Sequence, residues 1–316
     1  MIKVHVVSGF LGAGKTTFIA RAAAALIRRG EKAAVIENEI GEAGIDSLLL
    51  SHEGFKVYEL LNGCICCTLK SDFQTAFLEL KEKIRPDRVL IEPSGIFVLD
   101  SLFDILQSPK IAEAYELASV LTVVDARHYL RHEENYGQFL KSQVENATKL
   151  LLTRAEGLQP AARRYVLQSL RKLNPCAEIV PDYRGLDEDA LLGLLEANET
   201  VCRAEDGGHA HVDDEHEEHG HAHEHGHTHA AFETYLLKPQ AVYTQADLEE
   251  KLSRLTSGEY GTVIRAKGFV KSEKSYYNAN YVDGDVSVSV KLREVPVSLQ
   301  FIGLGLATEK LKELFL

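Results

Sequence analysis

Over the first 200 residues, short runs of aliphatic and β-branched side chains alternate with longer stretches in which apolar residues return every three or four positions. The short runs predict strands over 3–7, 33–37, 88–92, 119–125, 148–153 and 177–181. The longer ones predict helices over 16–29, 71–84, 133–146 and 160–173. Strands that alternate with helices of this length describe a mainly parallel sheet covered by helices, an α/β architecture. The first helix ends on Arg28 and Arg29 before Gly30, where cations meet the negative helix end and glycine permits a positive φ.

The pattern then stops. Residues 203–230 have few large apolar side chains and many His, Gly and acidic residues, so they cannot bury a core and read as a flexible linker. Periodicity resumes at Phe232 with a strand to Lys238, a helix opened by Thr244, strands over 262–270, 275–282, 286–291 and 299–306, and a last helix from Thr308. Asp283-Gly284 is a hairpin turn signal. The order β-α-β-β-β-β-α predicts a smaller α+β domain. The expected division is a nucleotide-binding domain over 1–202, the linker over 203–230 and the second domain over 231–316, two domains of ordinary size for 316 residues.

Charge sharpens this division. Net charge is −12, and eight acids lie within 205–224 without a Lys or Arg, leaving −4 for the rest of the chain. That balance argues against a dedicated nucleic-acid binder, whose affinity would need clustered Lys and Arg to displace counterions from phosphates. The absence of any apolar run of about 18 residues argues against a membrane span. Residues 1–10 read as a strand rather than a signal peptide, which makes a cytoplasmic location the expectation.

Gly9-Phe10-Leu11-Gly12-Ala13-Gly14-Lys15-Thr16 fits G-x-x-x-x-G-K-[ST] and lies between a predicted strand and a predicted helix. Gly9, Gly12 and Gly14 let the backbone wrap a polyphosphate, with Ala13 and Thr17 completing the loop and helix start. Lys15 would meet the β and γ oxygens as a catalytic cation, and Thr16 would ligate Mg²⁺. A dinucleotide fingerprint is ruled out because Thr17 occupies the place of the last glycine of G-x-G-x-x-G.

In open α/β sheets, ligands bind beyond the carboxyl ends of the strands. The polar residues found there are Glu37 and Glu39, Glu92, Asp125 and Thr153. Glu92 is placed to hold Mg²⁺ through water and to act in catalysis. Gly95 can offer its N–H to a γ-phosphate, making 92–95 a segment that relaxes after hydrolysis.

Cys64, Cys66 and Cys67 set three thiols within four residues after Gly63. Thiolates suit Zn²⁺ or Cu(I), with Glu37 or Glu39 as a possible fourth ligand. Redox exchange and inert burial are the alternatives, although Cys-x-Cys-Cys is not the usual exchange spacing.

Taken in order, GFLGAGKTT, ENEIG at 37–41, NGCICC at 62–67 and IEPSG at 91–95, together with Arg265-Ala266-Lys267-Gly268, resemble the CobW-like metallochaperones among the P-loop GTPases, over nearly the whole chain. The resemblance implies GTP hydrolysis that drives or gates transfer of a metal, commonly zinc, from the thiol site to a client metalloprotein. It also implies a base-binding loop at 153–156. There Thr153-Arg154-Ala155-Glu156 replaces the family's Asn-Lys-x-Asp. Glu156 can still accept from a guanine ring N–H and amine, while Thr153 lacks the amide that would support the loop.

His209, His211, His216, His219, His221, His223, His225, His227 and His229 place nine imidazoles within 21 residues, interleaved with carboxylates. They suit weak accessory sites for Zn²⁺, Co²⁺ or Ni²⁺, the bland alternative being a polar spacer. The combined expectation is a GTP- and Mg²⁺-dependent metallochaperone that carries Zn²⁺. The alternatives are a cobalt or corrinoid-pathway GTPase, and a nucleotide-binding zinc buffer with little turnover. Nothing in the sequence sets the oligomeric state or names the client.

Overall fold

The computed structural model describes residues 1–37, 56–59, 68–95, 99–196, 232–292 and 294–316. Its N-terminal part runs β1 (Ile2–Ser8), α1 (Lys15–Arg28), β2 (Ala33–Glu37), β3 (Lys56–Glu59) and α2 (Thr68–Glu79), which passes into a π-turn at Leu80–Ile84. There follow β4 (Arg88–Glu92), α3 (Asp100–Leu106), α4 (Pro109–Ala112), β5 (Tyr115–Asp125), α5 (Tyr129–Glu145), β6 (Lys149–Thr153), α6 (Pro160–Leu173), β7 (Glu178–Val180) and α7 (Glu188–Gly193). The strands form a seven-stranded sheet in the order β3-β2-β4-β1-β5-β6-β7, and every pairing in it is parallel.

Both faces of this sheet are buried, which is why its strands read as nearly continuous apolar runs. Phe18, Ile19, Ala22 and Leu26 of α1 pack on Val7, Val35, Leu90, Leu121 and Val123. On the opposite face Phe73, Phe77, Leu80, Leu99 and Leu102 cover Val4, Val6, Ile36, Val89 and Ile91. Truncating one of the Leu or Ile side chains among them to Ala would cost about 2–5 kcal/mol.

Two boundaries differ from the sequence pattern for local reasons. Helix α5 begins at Tyr129 rather than near 133. The Asp125 carboxylate accepts the N–H groups of Arg127 and His128, at 3.0 and 3.4 Å, and so turns the chain directly out of β5. Tyr129 and His132 can then face the interior, where both are buried. Strand β5 begins at Tyr115 rather than 119, because Ile2 and Lys3 of β1 continue to pair with Tyr115 and Glu116 ahead of a bulge.

The C-terminal part consists of β8 (Glu233–Leu237), α8 (Gln245–Arg254), β9 (Thr262–Lys271), β10 (Tyr276–Val282), β11 (Asp285–Lys291), β12 (Ser298–Leu304) and α9 (Thr308–Phe315). Its five strands lie in the order β11-β10-β9-β12-β8, with antiparallel pairing throughout. Thr244 caps α8 by accepting the Asp247 N–H at 3.2 Å. Asp283 and Gly284 both have positive φ, as the tight turn between β10 and β11 requires.

This sheet sits on the loop that follows β1. Phe10, Leu11, Tyr136, Ile264 and Ile302 form one buried cluster flanked by Phe139, Phe232 and Leu304. The Phe10 and Tyr136 rings stack at 5.0 Å. Around this apolar patch the β10–β11 turn is pinned by ion pairs from Arg131 to Asp283 at 2.9 Å and from Arg127 to Asp285. Among the described residues no helix is long and apolar enough to cross a membrane.

Candidate functional site

The loop between β1 and α1 is a backbone cradle at the carboxyl edge of the parallel sheet. Gly9, Gly12 and Gly14 have φ of 138°, 73° and 110°. A Cβ on Gly9 would collide with the Val123 carbonyl oxygen, so glycine is demanded there by both conformation and space. Lys15 opens α1; it is buried, and its Nζ donates to the Phe10 carbonyl at 3.3 Å, folded back along the loop. Ala13 is buried, Thr16 half-buried and Thr17 exposed beside it.

Two acidic strand ends stand side by side here, and one of them reaches Thr16. Glu37 and Glu92 are register partners at the ends of β2 and β4, and both are buried. Thr16 Oγ1 donates to Glu92 Oε1 at 3.0 Å. The Thr16 hydroxyl and the Glu92 carboxylate give a hard, oxygen-only pair of donors beside a phosphate cradle, which fits Mg²⁺. Gly95 lies against the same loop: a Cβ on it would meet the Leu11 nitrogen at 2.5 Å. The Gly95 carbonyl accepts from Gln143 Nε2 at 2.9 Å. The 92–95 segment is thereby tied both to the cradle and to α5.

At the other side of the cradle stands the segment 153–156. Thr153 Oγ1 donates to the Ala13 carbonyl at 3.0 Å, so a hydroxyl supplies the support expected from an amide. Arg154 takes a left-handed φ of 56° and points its guanidinium at the Gly12 carbonyl, 3.4 Å away, and at Asp125. Burial opposes ionisation of Asp125, but the hydrogen bond from His128 and the charge of Arg154 outweigh it and hold the carboxyl at about 2. Glu156 stands exposed at the mouth. Its backbone N–H and the Arg184 guanidinium keep its pKa below the usual carboxylate range.

Several contacts around the cradle were not foreseen from the sequence. Tyr183, beyond the end of β7, donates its hydroxyl to the Gly14 carbonyl at 3.0 Å. Arg21 of α1 donates to the carbonyls of Arg184 and Leu186 at 3.0 and 2.7 Å. Gln143 fastens Gly95, and Val282 of β10 fills the space over Gly12. For Tyr183 and Arg184 a signal was present, since they follow the carboxyl end of a predicted strand. Val282 left none, because its neighbour is 270 residues away in the chain. Glu39, Cys64, Cys66, Cys67 and His209 to His229 lie outside the described residues.

A glycine cradle running into a helix, with Lys15, Thr16 and two strand-end carboxylates around it, on a parallel sheet with β1 at its centre, defines a P-loop GTPase domain. Residues 3–181 match the family described as CobW/HypB/UreG, nucleotide-binding domain. The chain belongs to that family. It is 34% identical over 202 residues to the zinc chaperone YjiA of Escherichia coli K12, a match covering 61% of this chain and 60% of that protein. It is 33% identical over 226 residues to the zinc chaperone CobW of Pseudomonas aeruginosa, covering 61% and 60% of the two chains. The chain thus spans about 60% of the length of these curated relatives. A crystal structure of the Zn(II)-bound YjiA GTPase from E. coli aligns over 99% of this chain and 98% of its own, at 22% identity and a TM-score of 0.47.

Proposed function

We propose that the protein binds and hydrolyses GTP with Mg²⁺ and uses the nucleotide state to control a zinc ion that it passes to a client metalloprotein. One observation carries this reading. Glu37, a candidate ligand of the carried metal, is the register partner of Glu92, which accepts from Thr16 at the head of α1. A displacement of Glu92 by nucleotide is felt one strand away, at the residue that leads into the 37–41 segment. The names of the relatives as zinc chaperones support zinc as cargo.

In the proposed mechanism the backbone N–H groups of Gly12 to Lys15 bind the phosphates, while Lys15 exchanges its Phe10 carbonyl for phosphate oxygens. Thr16 and Glu92 would hold Mg²⁺, which would supply neutralisation of charge developing on the phosphate oxygens. Gly95, already against Leu11, reports whether the γ position is filled. The carried metal would be held by Cys64, Cys66 and Cys67 with Glu37 or Glu39, a soft site suited to Zn²⁺. The histidines at 209–229 would gather metal for it.

Because a nucleotide that alters metal affinity must have its own affinity altered by the metal by the same factor, anaerobic zinc titration of the nucleotide-free, GTP-bound and GDP-bound protein tests the coupling. The expected result is a different zinc affinity in each state. Equal affinities in all three would defeat the proposal. Phosphate release by wild type and by Lys15→Ala, with and without zinc, separates a GTPase from a passive buffer, in which the two proteins would not differ.

A further inference from the structure

The loop after β7 is built as a fixed platform beside the base-binding segment. Arg21 of α1 donates to the carbonyls of Tyr183, Arg184 and Leu186, at 3.3, 3.0 and 2.7 Å. The Tyr183 hydroxyl reaches the Gly14 carbonyl, and its ring meets Phe18 edge-on at 5.3 Å. The segment 183–186 is therefore tied by three hydrogen bonds to its backbone and one from a side chain to the loop and helix that cradle the phosphates. A side chain carried there keeps a constant offset from a bound nucleotide.

That side chain is Arg184. Its Nη2 donates to Glu156 Oε1 at 2.5 Å, and its Nε donates to Asp182 Oδ1 at 3.0 Å. Asp182 Oδ1 also accepts the Arg184 backbone N–H at 3.0 Å, which fixes the carboxylate that aims the guanidinium. These contacts engage Nε and Nη2, leaving the two N–H groups of Nη1 outside the set. Arg184 and Glu156 have side-chain exposures of 37% and 64%, so a ligand can reach the pair without opening the core.

We infer that Arg184 is a specificity-determining residue for the nucleobase, pairing with Glu156 to present a donor fork beside an acceptor pair that is complementary to guanine. This rests on the GTP reading above. Guanine offers O6 and N7 as acceptors next to the N1–H and N2–H₂ donors, and arginine is suited to the first pair as a carboxylate is to the second. Adenine reverses the pattern at two places. Its N6 amine would face guanidinium donors, and its unprotonated N1 would face the carboxylate. Glu156 alone accepts only, so the positive donor at 184 is what penalises an amine in place of O6.

The test is calorimetric binding of GDP, IDP and ADP, with Mg²⁺, to full-length wild type, Arg184→Ala, Arg184→Lys and Glu156→Gln. Inosine keeps O6 and lacks the 2-amino group, so it separates the two halves of the pair. Arg184→Ala is expected to weaken GDP and IDP equally, by about tenfold, while ADP stays within about twofold. Arg184→Lys, which keeps the charge but not the fork, should fall between. Glu156→Gln should instead shrink the GDP-to-IDP ratio. If Arg184→Ala weakens all three nucleotides alike, or none, Arg184 only staples the loop and the inference is overturned. A wild type that binds GDP no tighter than ADP overturns the guanine reading and this inference with it.

Discussion

Val282, the last residue of β10, occupies the space over Gly12 where any other amino acid would carry its Cβ. The phosphate cradle and the C-terminal sheet therefore share a wall. Phe10 and Leu11 on one side and Ile264 and Ile302 on the other extend it. Any shift of the loop at Gly12 is therefore felt in β10.

Gly12→Ala separates the two demands on this position. The substitution meets an unfavourable φ of 73°, worth about 1–2 kcal/mol, and a steric conflict with Val282. It should lower both thermal stability and GDP affinity. Val282→Ala in the same chain should restore the steric share and leave the backbone share. A double-mutant cycle read by denaturant unfolding would then show a favourable coupling of about 1 kcal/mol or more. Additive losses would mean that the wall is not shared.

His5 predicts an acid-sensitive fold. It lies fully buried in β1 with Nδ1 2.9 Å from Ser119 Oγ. Burial first, and then the nearby Arg88 charge, lower its pKa from 6.5 to about 3. Between these values the unfolded chain holds a proton that the folded one refuses. Stability is therefore fully present above 6.5 and declines as pH falls toward 3, by on the order of 2 kcal/mol at pH 5. Chemical denaturation of wild type and His5→Asn at pH 7 and pH 5 checks this. The variant should lose less between the two conditions, whatever its stability at pH 7, and parallel losses would remove His5 as the cause.

The cradle and the strand ends were legible because they are local. Gly9 to Thr16 is one continuous segment, and Glu37, Glu92, Asp125 and Thr153 could each be placed by finding where an apolar run stops. The Asp283-Gly284 turn was legible for the same reason. What escaped was short or distant. Strand β3 has four residues and only Val57 and Tyr58 to mark it, and α7 has six, too few for a 3.6-residue period to show. The seat of Val282 over Gly12, the tie from Gln143 to Gly95 and the hold of Arg21 on the 183–186 backbone depend on which surfaces meet. No window of sequence contains both partners. Thr153 shows a third case: the residue was noticed, but its hydroxyl does for Ala13 what was expected of an amide, because the loop comes close enough for the shorter side chain.

Glu92 is the residue on which magnesium dependence should turn. Its carboxylate accepts from Thr16 at 3.0 Å and stands in register with Glu37. Glu92→Gln keeps the shape and removes the charge, so the Thr16 hydroxyl retains an acceptor while the divalent ion loses an anionic partner. GTP affinity measured in EDTA should therefore change little. The gain in affinity on adding Mg²⁺ should fall by about tenfold or more, since a carboxylate that would help hold a small hard cation, directly or through its water, is being replaced by a neutral amide. Thr16→Ala should lose the same gain by removing the hydroxyl ligand, and the double variant should lose little beyond either single one if both act on one ion. A Glu92→Gln protein whose Mg²⁺ enhancement equals that of wild type would show that the ion is held elsewhere.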